Sequence, residues 1–249
     1  MRKSRIFAIL YLLAVGLTAS LFAAEIHEAV KADDLNTVKA LSEKDLGLMA
    51  GFLFGIASGQ DSHGGANRET IDRMRDETLQ PEKIMDAIQL RPGMIVGEAG
   101  SSYGYFTFKM SRRVGSAGIV FANDIDPAAL RTITKTCESE KITNIRTVLG
   151  AVDDPLFPKS NLDMVIVFDC LFEFSEPAQW MGNARKYLKP EGRLVVVDPD
   201  PYKMGNSGHF LSREKIQDLA RESGYAVIEV DDLFLKSHMI IVLQPIPVK

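Results

Sequence analysis

Apolar and polar residues change rhythm near residue 81. From there, near-continuous apolar runs alternate with stretches whose apolar residues recur every three or four positions. Pro81 suits the first turn of a helix, with Ile84, Ala87 and Ile88 on one face and Arg91-Pro92-Gly93 as the stop. Runs at 94–99, 119–124, 145–149, 164–169 and 193–198 read as strands, and 105–114, 127–140, 177–188 and 212–223 read as helices. Runs such as Val195-Val196-Val197 carry no polar alternation, which means burial on both faces and a parallel sheet. The final runs, 226–234 and 237–244, are separated by Leu235-Lys236 alone, a link that only antiparallel neighbours can use. The predicted fold is α/β: a doubly wound, mostly parallel seven-stranded sheet with an antiparallel C-terminal hairpin, spanning residues 79–249.

Upstream the pattern is different. Arg2, Lys3 and Arg5 precede an uncharged run from Ile6 to Ala24, as in an export signal. As a helix that run reaches about 28 Å, enough for a membrane anchor. Either way the remainder is expected outside, exported (periplasmic or secreted) or anchored by residues 1–24. Residues 25–78 read as a helical segment and linker. Ile26, Ala29 and Val30, then Leu35, Val38 and Leu41, recur at helical spacing. This stretch resembles the opening of an ankyrin repeat, though one such unit cannot bury its own face. The Gly-, Ser- and His-rich run 58–67 reads as a loop.

Composition narrows the function. Apolar residues are 46% and charged residues 25%, so a globular core is expected. The net charge is −4, and −7 once the three N-terminal positives are set aside, which argues against nucleic acid and against membrane contact beyond the N-terminal segment. Four widely spaced histidines and two cysteines give no metal-site pattern. Cys137 on a helix stripe and Cys170 at a strand end are expected at opposite sheet edges, unbonded.

Chemistry concentrates where the first strand ends, at Gly97-Glu98-Ala99-Gly100-Ser101-Ser102-Tyr103-Gly104. A strand, a glycine turn and a helix form the default nucleotide site of such sheets. Glycines at 97, 100 and 104 miss the dinucleotide spacing, and Glu98 inside the turn repels a pyrophosphate while attracting a cation. Asp124 ends the second strand, placed either to accept two ribose hydroxyls or to cap the helix that begins near Pro127. His63 and His209 are candidate loop ligands or bases, and Glu173 a candidate substrate contact, each with a plainer reading as a solvated loop residue.

These residues resemble class I S-adenosylmethionine-dependent methyltransferases. Glu98, Gly100 and Gly104 match the family's acidic-x-G-x-G-x-G turn, with Ser102 at the middle glycine. The likeness runs on through Asp124, Gly150-Ala151-Val152-Asp153-Asp154-Pro155, Asp163-Met164-Val165-Ile166 and Leu188-Lys189-Pro190-Glu191-Gly192-Arg193-Leu194, covering about residues 79–245. The resemblance implies S-adenosylmethionine as cofactor. Glu98 and the Gly100 backbone would hold the methionine part and Asp124 the ribose. Asp153, or backbone near Val152, would meet the adenine amino group, and Asp169 would border the methyl-donor pocket. Ser102 projects a side chain where the family has only hydrogen. Methyl transfer needs alignment rather than a fixed catalytic residue, so neither the nucleophile nor the acceptor, small molecule or protein, is named. The other reading is an exported, non-catalytic nucleoside-binding or interaction module on the same fold.

Overall fold

The computed structural model describes residues 68–204, 210–228 and 232–247, with Ala32, Asp34, Asn36 and Thr37. The expected export segment, the rest of the ankyrin-like stretch, His63 and His209 lie outside the described residues. Among the described residues no helix is long and apolar enough to cross a membrane. The chain divides into two units, Met1–Glu77 and Thr78–Lys249. In the first, Asp34 accepts from the Thr37 amide at 3.1 Å and from its hydroxyl at 2.5 Å, a cap at a helix start.

Helix α1 (Arg68–Leu79) occupies the end of the stretch read as linker, and α2 (Pro81–Ala87) starts at the expected proline. Then follow β1 (Ile95–Ala99), α3 (Tyr105–Val114), β2 (Ile119–Asp124), α4 (Pro127–Glu140), β3 (Ile145–Leu149), β4 (Leu162–Phe168), α5 (Pro177–Ala184), β5 (Leu188–Pro199), α6 (Arg213–Glu222), β6 (Tyr225–Ile228) and β7 (His238–Pro245). Short 3-10 turns at Leu171–Glu173 and Arg185–Tyr187 flank α5. The seven strands lie in the order β3-β2-β1-β4-β5-β7-β6. Pairing is parallel as far as β5 and antiparallel for β5–β7 and β6–β7.

The two-residue period of each strand sorts its side chains into two cores. Val96, Val120, Met164, Ile166, Val195 and Val197 pack with α2, α3 and α4 through Ile84, Phe106, Met110 and Ile133. Phe121, Val165, Val167, Leu194 and Val196 pack with α5 and α6 through Trp180, Met181, Ile216 and Leu219. Both faces are therefore dry, which is why the strands read as unbroken apolar runs.

Several boundaries differ from expectation. Strand β5 begins at Leu188 rather than 193, so the Pro190-Glu191-Gly192 stretch, which reads as a turn, is strand. The helix expected over 177–188 stops at Ala184 and tightens into a 3-10 turn. Strand β6 ends at Ile228, not 234, so no two-residue turn joins it to β7. The physical reason is Asp232. Its carboxylate accepts the Ile240 amide at 2.8 Å and Arg213 at 2.5 Å, and the Leu235 amide folds back onto its carbonyl at 2.9 Å. The chain turns there instead of extending.

No helix links β3 to β4. Residues 150–161 cover the sheet face directly, with Phe157 over β1: a Cβ on Gly97 would stand 2.5 Å from the Phe157 ring. The bare strand at Gly97 is what lets this aromatic take the place of a helix.

Candidate functional site

The strand order reverses between β1 and β4, and the crevice beyond their carboxyl ends is where such sheets bind ligands. At the tip of β1 the chain bends through Gly100 (φ 69°), Ser102 (φ 46°) and Gly104 (φ 91°). Ser102 holds the left-handed backbone that a glycine would adopt freely, so the turn keeps its shape despite the side chain. At Gly100 a Cβ would lie 2.4 Å from the Cys170 sulfur. The glycine is required because the tips of β1 and β4 touch there, and the Cys170 thiol donates to the Ala99 carbonyl at 3.4 Å. Helix α3 starts at Gly104 with no side-chain cap.

Glu98 is buried, 2% exposed, and accepts a hydrogen bond from the Thr107 hydroxyl of α3. Asp124 is half-buried. One of its oxygens accepts the Ser102 amide at 2.7 Å and the other the Asp126 amide at 2.9 Å. The helix cap is Asp126, which takes the Ala128 and Ala129 amides. Asp124 is thus relieved of capping and ties the glycine turn to the tip of β2. Each of its oxygens retains a lone pair.

Asp169 leaves β4 in the left-handed region (φ 60°). One carboxylate oxygen lies 3.3 Å from His238 Nε2, and His238 Nδ1 lies 2.9 Å from the Ser237 hydroxyl. Next to it, at the tip of β5, Asp198 is 1% exposed. Its Oδ1 accepts the Cys170 amide at 3.0 Å and the Leu171 amide at 3.4 Å, and its Oδ2 has no partner. Burial, then the charge of Asp169, push the Asp198 carboxyl up to about 7. Cys170 sits among these groups. Burial pushes its thiol well above the ordinary range, and the charges of Asp198, Asp169, Asp124 and Glu98 add to the effect. One buried sulfur therefore feels four carboxylates, from the tips of β1, β2, β4 and β5.

The structure brings Glu98, Gly100, Ser102, Gly104, Asp124 and Asp169 to these tips. Asp153 is placed in the β3–β4 connection, where its carboxylate accepts from Gln179 at 2.9 Å and its carbonyl from Asn183 at 2.8 Å, both on α5. Cys170 lies at the tip of central β4, not at a sheet edge, and both cysteines are free. Among the described residues no three His, Cys, Asp or Glu are grouped to hold a metal ion.

Sequence reasoning missed Asp198, His238, Ile125 and the side chain of Val152, of which it had named only the backbone. Asp198 carries the signal that marked Asp124, an acidic residue closing an apolar run. His238 opens an apolar strand and has no pattern of its own. Ile125 and Val152, 60% and 55% exposed, lie just past β2 and β3, where an apolar residue has no core to enter.

Known proteins share both the sequence pattern and the architecture. Over 119 residues the chain is 25% identical to nocamycin O-methyltransferase of Saccharothrix syringae, covering 48% of this chain and 42% of that protein. Over 115 residues it is 30% identical to the ubiquinone/menaquinone biosynthesis C-methyltransferase UbiE of Vibrio vulnificus, covering 46% and 44%. The match thus spans less than half the length of either relative. A crystal structure of a SAM-dependent methyltransferase from Aquifex aeolicus superposes with a TM-score of 0.64 at 19% identity, covering 69% of this chain and 93% of that one. Geranyl diphosphate C-methyltransferase from Streptomyces coelicolor, solved with Mg2+, geranyl diphosphate and S-adenosyl-L-homocysteine, gives 0.58 at 14% identity, covering 76% and 89%. The pattern of the family described as "Methyltransferase domain" matches residues 90–231, more than half of the chain and all of the strand tips just described. With its acidic glycine turn at the point where the strand order reverses, the chain belongs to the methyltransferase domain family.

Proposed function

We propose that the protein is an S-adenosylmethionine-dependent methyltransferase acting by in-line displacement on a small-molecule or protein acceptor. The observation that carries this is the placement of Glu98, Asp124 and Asp169 at the tips of the adjacent strands β1, β2 and β4, with Asp124 bonded to the glycine turn through the Ser102 amide. A ligand bearing a sulfonium and an ammonium is drawn to such acidic strand tips, and a pyrophosphate is repelled. Glu98 and the backbone at Gly100 would hold the methionine part. Asp124 would accept the ribose hydroxyls with the lone pairs its two amide contacts leave. Ile125 and Val152 offer apolar faces for a purine, and Asp153 retains acceptor capacity for the adenine amino group beyond its bond from Gln179.

When bound, the nucleoside supplies a methyl group already activated on positively charged sulfur. The protein's part is to fix the donor against the tips of β1 and β4, to hold Asp169 at its methyl side and to keep water out. The relatives are named as O- and C-methyltransferases, and neither acceptor is assigned to this chain. The basic and then apolar start favours export or anchoring with the domain outside, in which case the nucleoside is supplied there.

Thermal shift with S-adenosylhomocysteine tests the reading. At 100 times the dissociation constant a ligand adds about 2.7 kcal/mol, or roughly 5–11 °C for a unit of this size. Asp124→Ala should abolish the shift, while Asp126→Ala, which removes only the helix cap, should leave it intact. A wild-type protein that does not shift would leave the non-catalytic module as the better reading.

A further inference from the structure

Asp169 and His238 come from different strands, brought together by the register of β5 with β4 and β7. Pro199 pairs with His238, so the imidazole stands at the tip of β5, beside the tip of β4. His238 is buried, its side chain 4% exposed, while that of Asp169 is 13% exposed. A carboxylate can only accept, so Nε2 facing it carries the hydrogen and donates, and Nδ1 then accepts from the Ser237 hydroxyl. In the neutral imidazole this short chain runs from the Ser237 hydroxyl to the Asp169 carboxylate. A buried hydroxyl orients a buried imidazole, which orients the one carboxylate of the three groups that still reaches the surface.

Two neighbours hold Asp169 in place. Its own amide donates to the Val197 carbonyl at 2.7 Å, and the turn that follows is clamped by Asp198 Oδ1 through the Cys170 and Leu171 amides. Lys203 donates to the His238 carbonyl at 2.7 Å, fixing the start of β7. The charged groups around the pair include Asp198 from β5, Asp200, whose amide donates to the Ser237 carbonyl at 2.8 Å, and Lys203, which also meets Asp232, with Glu98 and Asp124 across the β1 tip. Aromatic residues follow the carboxylate in the turns after β4 and β5. Phe172, three residues on, packs edge-to-face with Phe210 at 4.9 Å, and Tyr202 is 67% exposed in the turn after β5.

We propose that Asp169 is the general base of the reaction, that His238 with Ser237 is its positioning pair, and that the acceptor is an aromatic hydroxyl. This rests on the methyltransferase reading above. The acceptor oxygen forms its bond to the methyl carbon as the carbon–sulfur bond breaks, the electron pair of that bond staying on sulfur. The O–H proton passes to Asp169 and then to solvent. The products are the aryl methyl ether and S-adenosylhomocysteine, and no oxidant or metal is consumed. The aromatic pair Phe172–Phe210 suits a ring whose hydroxyl must come within reach of a carboxylate at the crevice edge.

The test compares the full chain on two acceptors at pH 8, phenol and 4-nitrophenol, with methyl transfer from labelled S-adenosylmethionine as the readout. Phenol, as acidic as a tyrosine side chain, arrives protonated, while the nitrophenol arrives ionised and needs no base. Asp169→Asn should lower phenol turnover about 10²–10⁴-fold and nitrophenol turnover less than about 10-fold. It should also flatten the acid limb of the phenol pH profile. Any weakening of S-adenosylhomocysteine binding should be no larger than the fall in nitrophenol turnover, so that the loss on phenol is not a loss of the nucleoside. His238→Ala should lower phenol turnover on the order of 10²-fold, and His238→Gln, which keeps an N–H donor, should restore most of it. An equal fall on both acceptors in Asp169→Asn would overturn the general-base role, as would a wild-type protein that binds S-adenosylhomocysteine yet methylates neither phenol. Failure of the wild type to bind the nucleoside at all would instead overturn the methyltransferase reading.

Discussion

Replacing Asp198 with Asn should make the protein more stable at pH 8 and leave it nearly unchanged at pH 4. In the folded protein the Asp198 carboxyl is raised from 3.8 to about 7, because it is buried and lies near Asp169. Its protonated form is therefore the one the fold favours. The stability it contributes is fully present below the unfolded value of 3.8 and is lost as pH rises through about 7. The span corresponds to on the order of 4 kcal/mol. Asn keeps an oxygen that can accept the Cys170 and Leu171 amides but never ionises, so Asp198→Asn removes the loss. For a unit of this size the gain at pH 8 is roughly 8–16 °C in Tm. Other carboxylates pull the opposite way. Asp154 is lowered by Lys186 and Tyr187, and Asp232 by the Ile240 amide and Arg213, in both cases against the opposing effect of burial. Their stability is present above the unfolded value and lost on acidification. The difference between wild type and variant, taken by calorimetry from pH 4 to pH 8, cancels these contributions. A difference that does not change with pH would refute the argument.

Three further outcomes follow from the same structure. Gly97→Ala should destabilise by about 1–3 kcal/mol, because its Cβ meets the Phe157 ring, and Phe157→Leu should recover part of the loss in denaturant melts. Iodoacetamide should modify half-buried Cys137 well before Cys170, whose buried thiol is pushed well above the ordinary range, so mass spectrometry of the native protein should find Cys170 unlabelled while Cys137 is alkylated. Asp232→Ala should unpin the turn before β7 by removing the acceptor of Arg213, Lys203 and the Ile240 amide. Hydrogen exchange at Ile240 should then rise by at least 10-fold, whereas an unchanged rate would show that Asp232 does not hold that strand.

Much of the fold was legible because its strands are buried on both faces. A run such as Val195-Val196-Val197 has only one physical home, the middle of a covered sheet, and the structure puts it there. The start of β5 was hidden because Pro190 and Gly192 normally punctuate turns, and only pairing of Leu188 with Leu162 makes this segment strand. The end of β6 was hidden because Asp232 turns the chain through partners 8 and 19 residues away, which no local pattern records. The site divided the same way. Glu98 and Asp124 announce themselves as acids ending apolar runs. That Asp126 rather than the expected Asp124 caps the helix needed coordinates, since both precede Pro127 by a few residues. His238 was invisible, because its meaning comes from the antiparallel register that sets it opposite Pro199.

The central claim is that Glu98, Asp124 and Asp169 at the strand tips select a cationic nucleoside over one carrying phosphates. Titration calorimetry of the wild-type protein with S-adenosylmethionine and with NAD, side by side at low salt, tests it most directly. Micromolar binding of S-adenosylmethionine with no detectable NAD heat is the predicted result, and NAD binding as tight as or tighter than S-adenosylmethionine would contradict it.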